Sequence, residues 1–133
     1  WLFALLMLLP AAGYASEFRD HGKELFYVGV ADAKATLTIG SGGKAACTGF
    51  ARPTASGSKV SITVKLRQKK EDGAWAVIGR WTDSGSGKNG VEIRETMPVE
   101  RGYAYQVVMT GTVRDAAGKV LDNISEKSSV RRY

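Results

Sequence analysis

From Ala33 onward, hydrophobic and polar residues alternate along the chain with a period of two. In AKATLTIG, Ala35, Leu37 and Ile39 share one face, and Lys34, Thr36 and Thr38 share the other. KAACTGFAR repeats the pattern with small residues, placing Ala45, Cys47 and Gly49 together. The plainest case is SKVSITVKLRQKK, where Val60, Ile62, Val64 and Leu66 oppose Ser61, Thr63, Lys65 and Arg67. Successive side chains of an extended chain point to opposite sides, so this alternation predicts strands with one buried and one wet face. AWAVIGRWT reads as a further strand with Trp75, Val77 and Trp81 on one face. In GVEIRETMPV, Val91, Ile93, Met97 and Val99 face inward, with Glu95 interrupting the row. Tyr103, Tyr105, Val107, Met109 and Val113 alternate along the longest run. No segment carries the 3.6-residue period of an amphipathic helix.

Turn signals separate these runs: SGG, PTASGS, KEDG, DSGSGKNG, ERG and DAAGK. The final segment, VLDNISEKSSVRRY, alternates weakly and predicts a bulge or irregular pairing. The pattern gives about seven short antiparallel strands at the spacing of a β-sandwich. The predicted fold is therefore all-β, an immunoglobulin-like sandwich over residues 33–133. A tyrosine at the start of the sixth strand of such sandwiches plugs the corner between sheets, its hydroxyl bonding the backbone a few residues upstream. Tyr105, just after the Glu100-Arg101-Gly102 turn, is assigned to that corner, with Tyr103 at the end of the sandwich.

The region before the alternation differs. Residues 1–15, WLFALLMLLPAAGYA, form an apolar run followed by small residues, the pattern of a signal peptide lacking its basic n-region. Cleavage is expected after Ala15, with residues 16–32 as an irregular lead-in and the product secreted, without a membrane anchor. The chain has 133 residues, enough for one domain with its own core. Its one cysteine, Cys47, excludes an internal disulfide and reads as a small buried hydrophobe.

Taken together, GGKAACTG, SKVSITVKLRQKK, GAWAVIGRWTDSGSG and PVERGYAYQV resemble small secreted bacterial proteins, common in Gram-positive gut anaerobes. The resemblance runs from about Ala33 to the end and rests most on the paired tryptophans and the Arg-Gly-Tyr-x-Tyr turn. It implies export and a single immunoglobulin- or fibronectin-like sandwich, and it carries over no activity and no functional residue.

Catalytic chemistry finds little support. The one histidine, His21, stands in the lead-in, and no serine sits in a nucleophile elbow. A structural zinc site needs four Cys or His ligands. Asp83, Ser84, Asn89, Asp115 and Asp122 stand where turns need them. Glu95 marks a strand bend, or pairs with Arg94, Arg80 or a backbone donor, a structural ion pair being the preferred reading. The reading is non-enzymatic, with no cofactor and no metal.

Charge offers one surface feature. The net charge is +6. Lys59, Lys65, Arg67 and Lys69 share the wet parity of one strand, and Arg80 and Arg94 join them if their strands are neighbours. Lys70 and Arg114 could extend the patch. These residues suggest a site for an anionic cell-surface or host glycopolymer, against the plainer role of outward lysines in solubility and edge protection. Nucleic acid ranks low, because Trp75, Trp81 and Tyr105 read as core rather than stacking platforms. The second reading is an interaction protein that pairs with another secreted protein through an edge strand.

Overall fold

The computed structural model describes residues 27–133. The expected signal peptide, His21 and most of the lead-in lie outside the described residues. Eight strands follow: β1 Val30–Ile39, β2 Lys44–Pro53, β3 Lys59–Lys69, β4 Trp75–Ser86, β5 Val91–Pro98, β6 Ala104–Arg114, β7 Val120–Lys127 and the short β8 Arg131–Arg132. They form two antiparallel sheets, ordered β1-β2-β5 and β4-β3-β6-β7, with β8 also paired to β6. The pairs β1·β2, β2·β5, β3·β6 and β6·β7 are those of the immunoglobulin constant-type sandwich. The fourth strand differs, lying beside the third instead of the fifth. Among the described residues, no helix is long and apolar enough to cross a membrane.

The inward parity of each strand builds the core. Leu37, Cys47, Val60, Ile62, Val64, Leu66, Ile93, Tyr105, Val107, Met109 and Val113 are buried and form one cluster. Gly49 shows why small residues occupy β2. A Cβ there would lie 2.6 Å from Val64 Cγ2 and 2.9 Å from Met109 Sδ, so a side chain would push the sheets apart.

Cys47 is wholly enclosed, and burial alone pushes its thiol up to about 11. It should resist a thiol reagent in the native protein and react at once in denaturant. Rapid native labelling would reverse the face assigned to β2. The raised value also sets a pH dependence. The thiol ionises near 9 in the unfolded chain and near 11 in the fold, so the stabilising difference is intact below pH 9 and lost as the pH rises to about 11. Cys47→Ala should flatten that part of the stability–pH curve.

The tyrosine corner is formed. Gly102 takes a φ of 95°, a left-handed turn open to glycine. Tyr105 is fully buried, and its hydroxyl donates to the Glu100 carbonyl at 2.7 Å. The same oxygen accepts from the Glu100 amide and from Gln68 Nε2, both at 3.0 Å. Tyr103 packs at the margin of the core.

The structure corrects three readings. Strand β1 begins at Val30 rather than Ala33, because a register shift between Val30 and Asp32 hides its alternation. Glu95 makes no ion pair among the described residues. It stands opposite Cys47 with inward parity, but on an edge strand where the sandwich is open, so its carboxylate reaches water. The third correction concerns β4. Leu66 faces Gly79 and Arg67 faces Val77, so Ile78 is an extra residue in a β-bulge. The bulge inverts the parity beyond it. Trp81 keeps its place against the core, whereas Trp75 and Val77 turn to the outer face, Val77 being 49% exposed.

The C-terminal segment is irregular, as its weak alternation suggested. A bulge falls between Val113 and Arg114, and the chain leaves β6 after Lys127. Ser128 fills the break: its amide donates to the Val107 carbonyl and its hydroxyl accepts from the Val107 amide, both at 2.9 Å. Arg131 and Arg132 then pair with Tyr105 and Ala104.

Candidate polyanion-binding face

The outer face of the larger sheet is read across the strands as successive rungs, since directly opposed residues point the same way. The first rung is Ser86–Lys59–Arg114. Two hydroxyl-rich rungs follow, Ser84–Ser61–Thr112–Asn123 and Thr82–Thr63–Thr110–Ser125. Next come Arg80–Lys65–Val108–Lys127, Val77–Arg67–Gln106 and Trp75–Lys69–Ala104–Arg132. The last three rungs hold Arg80, Lys65, Lys127, Arg67, Lys69 and Arg132 within an area roughly 14 Å on a side. No Asp or Glu occupies any position in these rungs.

Of the six residues expected to make this site, five are brought together: Lys59, Lys65, Arg67, Lys69 and Arg80. Arg94 is not. It lies on β5 in the other sheet, opposite Thr48, with its Nε 3.2 Å from Glu92. Sequence parity could not have excluded it, because parity does not say which sheet a strand joins. Arg114 does extend the face. Lys127 and Arg132 also belong to it and were not anticipated. The alternation Asn123-Ser125-Lys127 around buried Ile124 was a readable signal for the first. Arg132 had no such signal, since only the pairing of β8 places it there.

One part of the face is held rigidly. The Arg67 guanidinium lies 4.4 Å from the centroid of the Trp75 ring, with Lys69 Nζ at 5.9 Å from it. Arg67 also donates to Gln106 Oε1, from Nη2 at 2.6 Å and from Nε at 3.3 Å. Gln106 is fixed in turn by donating its amide to the Ser128 carbonyl at 2.8 Å. A cation stacked on an indole and hydrogen-bonded at one edge keeps donors free for an anion and loses little entropy on binding.

The opposed pairs are unusual for a merely soluble surface. Lys65 stands directly opposite Arg80, and Lys59 opposite Arg114. Like charges facing each other across strands destabilise a sheet, and a surface built for solubility intersperses both signs. The outer face of the smaller sheet does so: Arg52 pairs with Asp32 at 3.5 Å, and Arg94 with Glu92. Among the described residues, no group of three or more His, Cys, Asp or Glu side chains converges to hold a metal ion.

No family model matches the chain, and no curated protein matches it. Solved structures do. The solution structure of R. palustris CsgH is 11% identical with a TM-score of 0.41, over 72% of this chain and 90% of that one. A Pseudomonas fluorescens alkylpurine DNA glycosylase, AlkC, bound to DNA with an abasic-site analog, is 16% identical with a TM-score of 0.41, over 77% of this chain. A glycoside hydrolase family 2 β-glucuronidase is 18% identical with a TM-score of 0.33, over 71% of this chain. The chain spans only 30% of the glycosylase and 11% of the glucuronidase. At these scores the likenesses carry no argument about its role.

Proposed function

We propose that the chain is a secreted, non-catalytic binding module for an anionic polymer, with the outer face of the larger sheet as its contact surface. The observation that carries this reading is the three adjacent rungs of cations without a carboxylate, two of those cations clasped around Trp75. The hydroxyl rungs beside them suit a polyhydroxylated chain such as a sulfated or sialylated glycan or a phosphate-bearing wall polymer. The outward turn of Trp75 removes one ground for ranking nucleic acid low. However, its ring is covered by Arg67 and Lys69 and is poorly placed to stack on bases. Edge-strand pairing is the second reading: β1, β4, β5 and β7 are edge strands, and of these β4 carries a bulge and the charged Arg80 and Asp83, features that discourage such pairing.

The test is binding to sulfated glycan, sialylated mucin, teichoic acid and DNA at low and physiological salt. Binding to one polymer that survives physiological salt supports recognition. Weak binding to every polyanion that vanishes with salt overturns it, since exposed charges alone are screened over about 8 Å in that medium.

A further inference from the structure

The last rung of the face ends in a recess of about 230 Å3. It lies between the β3–β4 and β5–β6 turns, with Lys69, Lys70 and Arg132 as its cations, Tyr103 beside them and Glu71 as its one acid. Two of those cations, Lys69 and Arg132, belong to the face, so the recess continues it. The walls are fixed from outside. The Gly102 amide donates to the Tyr133 carbonyl at 2.8 Å and the Tyr133 amide to the Tyr103 carbonyl at 3.2 Å, tying β8 to the β5–β6 turn. Gly73 and Gly102 each adopt positive φ, and a Cβ at either would meet nothing within 4 Å, so both turns leave the recess open.

The volume lies below the roughly 300 Å3 at which pockets for drug-sized ligands begin. It suits one charged group, with three cations against one carboxylate to receive it. We infer that this recess seats a single tetrahedral oxyanion ester, a phosphate or sulfate group carried by the polymer, and so fixes where the chain starts on the face. Lys69 and Arg132 contact the anion from the sheet, Lys70 from the turn, and Tyr103 lies against the attached sugar. The inference rests on the polymer-binding reading, but a small anion tests it separately.

The experiment is a titration of the chain with methyl phosphate, methyl sulfate and a neutral methyl glycoside, followed by backbone amide shifts. Both anions should move the amides of Lys70, Gly73, Gly102 and Ala104, the neutral sugar should not, and the stronger anion identifies which ester is the natural one. Lys70→Ala with Arg132→Ala should weaken the response by about tenfold or more, whereas Arg94→Ala, on the other sheet, should leave it unchanged. Shifts spread evenly over the face, or absent at millimolar anion, overturn the inference. Local shifts without polymer binding would uphold the recess and remove the polymer reading. Polymer binding without local shifts would do the reverse.

Discussion

Tyr105→Phe is expected to lower the stability of the fold by about 2 kcal/mol, more than the ~1 kcal/mol typical of one hydrogen bond. The hydroxyl serves the Glu100 carbonyl, the Glu100 amide and Gln68 Nε2 together, and no water reaches the ring. Phenylalanine fills almost the same volume, so packing changes little. The cost comes mainly from leaving the Gln68 amide without its partner in a buried corner, where such a group costs about 1–3 kcal/mol, with a smaller share from the part-buried Glu100 amide and carbonyl. The check is urea denaturation: the midpoint should fall with the slope unchanged. A loss under about 1 kcal/mol would mean that Glu100 and Gln68 find water, and that the corner is not closed.

The second large effect is an opposition between stability and binding. Lys65→Glu replaces a repulsive cross-strand neighbour of Arg80 with an attractive one. The variant should be as stable as the parent or more stable, by up to about 1 kcal/mol. It also removes two units of positive charge from the first of the three cationic rungs. A basic residue gains on the order of 1 kcal/mol at an anionic surface, so polymer binding should weaken roughly 30-fold and depend less steeply on salt. Melting temperature and affinity should therefore move in opposite directions. If both stay level, the face is only a solvated surface. If both fall, Lys65 has a packing role that the structure does not show.

Much of this was legible in the chain. Strand β3 could be read residue by residue, because its period-two pattern has no bulge. Its four cations were placed together from parity alone. The tyrosine corner was equally legible, since a glycine turn followed by Tyr105 has a local geometry that needs no partner strand. The size of its effect was not: Gln68 is thirty-seven positions away and reaches the hydroxyl only because β3 pairs with β6. Trp75 was misplaced for a related reason. In the run Ala76-Val77-Ile78-Gly79, an apolar residue is available for either face, so nothing local says that Ile78 is extra.

The sequence by itself determined the class of the fold, the inward and outward sides of the unbulged strands, and the burial of Cys47. These follow from alternation and turn chemistry, which act over a few residues. Only the tertiary structure decided which strands are neighbours, and with that the composition of the face. It moved Arg94 to the other sheet, brought in Lys127 and Arg132, and turned Trp75 outward. The physical reason is that a strand's own pattern fixes which way each side chain points. The charges and ring systems that stand beside it are fixed by cross-strand register, and register is set by backbone hydrogen bonds between segments far apart in the chain.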